Sequence, residues 1–137
     1  MRSAHDAHGS ASIWALLLTS GAFTVLLGLV VDGGRVIDAR LEAARVAAQA
    51  ARLGADQLSA SSVRSGGDAV NAQSASDRVR EYLAAAGQVG SVQVTGDRVT
   101  VTVTGTSSAR ILSVIGIDGF PIEESETAQG IIGEEGP

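Results

Sequence analysis

The sequence predicts an α+β protein in which a long N-terminal transmembrane helix continues into an alanine-rich helix, followed by a small α-β-β-α-β domain with a three-stranded sheet. One observation is a run without any charged residue, 11–31. Another is the regular three- and four-residue spacing of apolar residues after that run, up to Leu58. A third is a pair of valine-rich alternating stretches, 89–95 and 98–104. Helical and strand periodicities thus occupy separate parts of the chain, as in α+β folds.

The uncharged run is long enough to cross a bilayer. As a helix, residues 11–31 extend about 31 Å at ~1.5 Å per residue, which matches the hydrocarbon core and satisfies the backbone internally. A cleaved signal peptide would have a shorter apolar core of ~7–15 residues, and no Ala-x-Ala site precedes Asp32 here. A buried core helix would need other long apolar segments around it, and the chain has almost none. We therefore predict a membrane anchor.

Two sets of small and apolar residues predict close helix packing. Inside the span, Ser20, Thr24 and Gly28 lie four residues apart, the small-xxx-small spacing that lets helix backbones approach each other. Beyond it, apolar residues alternate in steps of four and three and form a predicted packing face: Ile37, Leu41, Ala44, Ala48, Ala51, Ala55 and Leu58. The partner is either another chain or the distal domain of this chain. Between the two sets, Asp32, Gly33 and Gly34 predict a turn or kink at the membrane exit, since glycine weakens a helix interior.

The remaining elements are shorter. After a loop rich in serine and glycine, a second helix is predicted over 76–86, with a start as early as Ala69 and with Gly87 as its stop. The runs 89–95 and 98–104 predict a β-hairpin with its valines on one face. A short helix, 109–115, and a third strand, 120–128, complete the order. We expect a polar tail at 1–10, the span with its amphipathic continuation at 11–58, and the α+β domain at 59–137.

Composition excludes several classes of function. A net charge of −5 over 137 residues argues against nucleic acid as a partner. The chain has no cysteine, phosphate-binding loop or nucleophile motif, so we predict no enzymatic activity, no cofactor and no metal site. His5 and His8 lie in the polar tail without further ligands. Glu123, Glu124 and Glu126 suit a solvated strand edge, because alternation divides them between two faces.

The motifs occur in a recognisable order: Gly9–Ala15, the apolar span, Asp32–Arg35 with its alanine-rich continuation, the valine hairpin, and the segment 111–117. This order resembles the TadE/TadG-like proteins of bacterial tight-adherence pilus systems. The resemblance implies a pilin-like fold and a pseudopilin-like role without enzymatic activity. The helix would pack in the cytoplasmic membrane beside other pilin-like or pilus-assembly proteins, or beside a second copy, and the small domain would be extracytoplasmic.

The resemblance also implies cleavage by a prepilin peptidase after Gly9, which would leave Ser10 as the N-terminus. Processed pilins carry glutamate at the fifth position after the cut, where this chain has Trp14. A tryptophan near the start of a span suits the membrane interface and needs no neighbouring subunit. Two interpretations therefore stay open: a component that packs within a pilus or secretion apparatus, and a single-pass anchored binding or accessory protein that does not enter a filament.

Arginine placement conflicts with the orientation that the resemblance implies. Arg2 precedes the span, whereas Arg35, Arg40 and Arg45 follow it. The positive-inside rule, taken literally, would place the C-terminal domain in the cytoplasm. We expect it outside, because the short N-terminal tail leaves nothing else to act there.

Overall fold

The fold is α+β, which confirms the predicted class and order of elements. The computed structural model describes residues 6–62 and 68–131, with side chains described over 10–60 and 71–131. Its elements are helix α1 (Asp6–Ser62), helix α2 (Asp68–Ala85), strand β1 (Val89–Thr95), strand β2 (Arg98–Ser108), a 3-10 helix (Leu112–Ile115) and strand β3 (Gly119–Gln129). The predictions for His5, for the loop 63–67 and for 132–137 fall outside the described residues.

Helix α1 runs from the apolar segment into the alanine-rich segment as one element. It begins before the predicted span and ends four residues after Leu58, at Ser62. Asp32, Gly33 and Gly34 are helical, so the chain has no turn there, and the alternative of a kink stays a prediction. Glycine costs only about 1 kcal/mol relative to alanine in a helix interior, and strong helix formers continue on both sides.

The sheet has the order β1-β2-β3. β1 and β2 pair antiparallel from Val89↔Thr104 to Thr95↔Arg98, which confirms the predicted hairpin. Hydroxyl pairs join β2 to β3 on the polar face, with Thr100 Oγ1 2.8 Å from Thr127 Oγ1 and Thr102 Oγ1 3.0 Å from Ser125 Oγ. The opposite face carries valines, as the alternation predicts.

The segment between β2 and β3 is tighter than the predicted helix over 109–115. Only a 3-10 turn, Leu112–Ile115, forms there, and it ends at Gly116 with a φ of 89°. That left-handed conformation is one that glycine adopts without strain. Helix α2 begins at Asp68, at the early end of the predicted range, and is followed by Gly87, as predicted.

Contacts divide the chain into two compact units. Unit 1 comprises residues 1–35 and 108–120, and unit 2 comprises 36–107 and 121–137. Unit 1 therefore combines the first part of α1 with the segment between β2 and β3. Unit 2 combines the rest of α1 with α2, the β1–β2 hairpin and most of β3.

The core of unit 2 is built from small residues on α1 against valines of the sheet. Ala47, Ala50 and Ala51 have no exposed surface, and neither do Val79 of α2 and Val99 of β2. Alanine buries little area, so it stabilises a contact only where the facing element comes close. The α2 and sheet side chains in this core are Ala75, Val79, Leu83, Val99, Val101, Val103 and Ile122.

Gly54 marks a close approach of α1 to Val99 of β2 and Val79 of α2. A Cβ atom at this position would lie 2.8 Å from Val99 Cγ1 and 2.9 Å from Val79 Cγ2. Valine is stiff at χ1, and both valines are fully buried, so neither methyl group can move aside easily. Gly33, in the same helix, has nothing within 4 Å of its Cβ position.

We expect Gly54→Ala and Gly33→Ala to have opposite effects on stability. Alanine favours the helix by about 0.5–1 kcal/mol at either position, but overpacking at Gly54 costs about 1–3 kcal/mol. In detergent solution, the thermal unfolding temperature of Gly33→Ala should therefore be higher than that of the native chain, and that of Gly54→Ala should be lower. Equal stability of the two variants would contradict the close approach.

Candidate functional site at the end of the apolar segment

The apolar part of α1 is exposed almost along its whole length. The helix Ser10–Ala60 contains an 18-residue window with a mean hydropathy of 2.1, and only 6% of that window is buried. Leu16, Leu18 and Val30 each expose more than two thirds of their surface, at 72%, 72% and 73%. Such a stripe-free apolar surface is typical of a helix in lipid rather than of a core helix. It is the one helix among the described residues that is long and apolar enough to span a membrane.

Asp32, one residue beyond this segment, is buried and holds the turn that follows β2. Its side chain is 1% exposed. Its Oδ1 accepts the Arg110 N–H at 3.0 Å, and its Oδ2 accepts the N–H groups of Ile111 at 3.0 Å and Leu112 at 2.9 Å. The carboxylate thus satisfies three consecutive donors at the start of the 3-10 helix, as an N-terminal cap does.

Gly28 lies one helical turn before Asp32. Side chains of the loop segment that Asp32 binds pack against it. Its missing Cβ would lie 2.8 Å from Leu112 Cδ2 and 3.0 Å from Ile111 Cγ2. Gly28 is buried, unlike its neighbours in the apolar segment. The absence of a side chain therefore allows the turn to lie directly against the helix.

The donors around Asp32 favour its ionised form. They lower the pKa of its carboxyl, first through the Leu112 N–H and then through the Arg110 N–H; burial opposes the shift, and the Ile111 N–H and the positive charge of Arg35 add to it. Arg35 Nη1 is itself buried and has no hydrogen-bond partner among the described residues. The site therefore holds one ionised carboxylate against a cluster of donors, an arrangement suited to fixing a turn.

The residues of the predicted packing face lie in different environments. Ala51, Ala55 and Leu58 belong to the core of unit 2, and Ala44 and Ala48 are half-buried. Ile37 and Leu41 are exposed by 60% and 50%. The buried alanines Ala43, Ala47 and Ala50 were not in the predicted set; each precedes a predicted alanine by one position.

The predicted small-residue set inside the span is divided in the same way. Ser20 and Thr24 are exposed, and the Thr24 hydroxyl donates to the Ser20 carbonyl at 3.0 Å. Gly28 is covered by its own chain. Gly9 and Ser10 lie in α1, and cleavage after Gly9 stays a prediction.

Sequence reasoning missed the donors of Asp32. The signal available was an acidic residue at the end of an apolar segment, where a carboxylate needs a partner. The sequence does not specify which residues supply it, because the partners lie 78 to 80 residues away. No group of three or more histidine, aspartate or glutamate side chains is placed to hold a metal ion in the described part of the chain.

We expect Asp32→Asn to loosen the turn around Arg110. The amide keeps one acceptor oxygen but removes the charge and turns an N–H group toward backbone N–H donors. Because Arg110 is exposed, trypsin cleavage after Arg110 in the reconstituted chain reports on this loosening, and its rate should rise several-fold. The matched control is Asp38→Asn, since Asp38 is exposed on the same helix.

Acid should act like the Asp32→Asn substitution. The folded-state pKa of Asp32 is lowered, so its stabilisation is complete above the ordinary aspartate pKa of about 3.9 and is lost as pH falls through the folded-state value. Equal cleavage of Asp32→Asn, Asp38→Asn and native chain would contradict this role of the carboxylate.

Comparison with known proteins gives a match for the N-terminal part of the chain. Residues 9–57 match the family model described as "Putative Flp pilus-assembly TadE/G-like". No curated protein and no solved structure matches the chain. The matched residues cover the exposed apolar helix, Asp32 and most of the alanine-rich segment, which fits anchoring in a membrane. The predicted resemblance to this family is thus confirmed over residues 9–57, just over a third of the chain.

Proposed function

We propose that the chain is a non-enzymatic, pseudopilin-like component of a tight-adherence pilus or a related secretion apparatus, and that it acts by helix packing in the membrane. The observation that carries this proposal is the coincidence of the family match with the exposed apolar helix. A helix that leaves its apolar surface uncovered by its own chain has that surface free for lipid and for neighbouring helices.

The surfaces proposed for packing are those on α1 that the chain leaves open. In the span these are Ser20 and Thr24, whose small side chains allow close approach and whose polar groups can be satisfied within the helix. In the alanine-rich segment they are Ile37 and Leu41, which are exposed apolar residues. The partner is another pilin-like or pilus-assembly membrane protein, or a second copy of this chain.

Single cysteines test this packing directly, because the native chain has none. We expect Ser20→Cys and Thr24→Cys to give oxidative crosslinks in native membranes, since small residues bring helices within disulfide range. Ala22→Cys is the matched control, because two residues along a helix turn it by about 200° from Ser20. Equal crosslinking of the three variants would contradict the proposed face, and no crosslinking of any variant would exclude a second copy of this chain as the partner there.

The alternative function is an anchored binding or accessory protein that does not enter a filament. Coverage of Gly28 by Ile111 and Leu112 favours it, because one of the three small residues is then closed to a neighbouring subunit. Recovery of the native chain in sheared surface filaments distinguishes the two functions. We expect it to remain with the envelope as an assembly factor or minor component.

We further propose that residues 32–137 are extracytoplasmic, against the literal count of arginines. The support is the match of residues 9–57 to the TadE/G-like pilus-assembly family model. Protease added to intact spheroplasts should then digest the C-terminal domain. A cytoplasmic protein serves as the control for lysis, and protection of the domain until lysis would contradict the orientation.

A further inference from the structure

The turn held by Asp32 exposes an unusual amount of apolar surface. Between Arg110 and Asp118 lie seven residues without a charge, Ile111 to Ile117, which we call the 111–117 loop. Val114 is 83% exposed, Ile115 55% and Ile117 38%. Large apolar side chains so exposed in one short loop indicate a contact with an apolar surrounding rather than with water.

The position of the loop within unit 1 indicates which surrounding that is. Leu112 and Ile111 lie against Gly28, which belongs to the uncharged segment 11–31. The loop backbone is bound to Asp32, four residues further along α1, or about 6 Å at ~1.5 Å per residue. The loop therefore lies beside the last turn of the apolar segment, where a bilayer around α1 has its interface.

Five of the seven N–H groups of the loop have a hydrogen-bond acceptor within the chain, which suits a backbone in an apolar surrounding. Besides the three N–H groups bound by Asp32, the Val114 N–H donates to the Ile111 carbonyl at 3.2 Å, and the Gly116 N–H donates to the Ser113 carbonyl at 3.1 Å. The Ile117 N–H donates to the Leu112 carbonyl at 3.1 Å, and the Ser113 hydroxyl donates to the Arg110 carbonyl at 2.8 Å. At the base, the Ala109 N–H donates to the Asp118 carbonyl at 2.9 Å.

We propose that the 111–117 loop is a second membrane contact, in which Val114, Ile115 and Ile117 insert into the interface of the leaflet at the C-terminal end of the α1 span. Its ends carry Arg110 and Asp118, which stay at the level of headgroups and water. The occupant of this surface is lipid, because the loop is continuous with the lipid-facing surface of α1. This inference rests on membrane anchoring and does not depend on a role in a pilus.

Tryptophan fluorescence in vesicles tests the insertion. The full chain carries Val114→Trp together with Trp14→Phe, which removes its one native tryptophan, and is reconstituted in phosphatidylcholine–phosphatidylglycerol vesicles. We expect lipids with a nitroxide near the glycerol end of the acyl chain to quench the fluorescence of this tryptophan strongly. Aqueous iodide should quench it little. The substitution removes little packing, since Val114 is 83% exposed, more than Ile115 or Ile117.

The control is Thr95→Trp in the same Trp14→Phe background. Thr95 is exposed and pairs with Arg98 next to the turn of the β1–β2 hairpin. Iodide should therefore reach the tryptophan of this variant and quench it. Ile115→Trp repeats the test if Val114→Trp fails to reconstitute.

Three outcomes would overturn the proposal. The first is iodide quenching of Val114→Trp equal to that of Thr95→Trp. The second is protection from both quenchers that disappears when the protein is diluted in lipid, which would assign the loop to an interface between copies. The third is protection from both quenchers at every dilution, which would place the loop against its own chain.

Discussion

The Asp32 carboxylate and the three backbone N–H groups of residues 110–112 determine how unit 1 is held together. A buried carboxylate is costly without donors, and three consecutive N–H groups at the start of a turn are unsatisfied without an acceptor. The carboxylate supplies the acceptors and the backbone supplies the donors. Gly28 allows the two segments to come this close, because a side chain there would meet Leu112 and Ile111. The path between β2 and β3 is thereby attached to the membrane-proximal part of α1.

Much of the fold could be predicted because its elements have strong local signals. Residues 11–31 lack charge, and the valines of β1 and β2 alternate, so neither element depends on distant partners for its recognition. The buried face of the alanine-rich segment was harder to predict. Ala43, Ala47 and Ala50 are buried, whereas Ala44 and Ala48 beside them are half-buried, although all five have the same size and polarity. When alanines stand next to each other in the sequence, the helical spacing does not show which of them are buried. The contacts with the facing valines determine this.

The two segments of the candidate site could be predicted from the sequence, but the contact between them could not. Asp32 and the glycines beside it are visible as an interruption of the apolar pattern, and residues 111–117 are visible as an uncharged run. Nothing local joins the two, since hydrogen bonds across 80 residues leave no periodicity in the sequence. The chain stays helical through Asp32, Gly33 and Gly34, because glycine costs a helix interior only about 1 kcal/mol and the residues on both sides favour the helix.

The distance between Asp32 and its donors also has a consequence for biosynthesis. Leu112 follows Asp32 by 80 residues, so at ~5–20 residues per second the ribosome needs about 4–16 s to make the missing donors. Throughout that interval α1 is complete through its apolar segment, while the Asp32 carboxylate has only water to solvate it. The nascent helix must therefore keep Asp32 on the aqueous side of the bilayer. Closure of unit 1 then becomes one of the last steps of folding, after the β1–β2 hairpin has been synthesised.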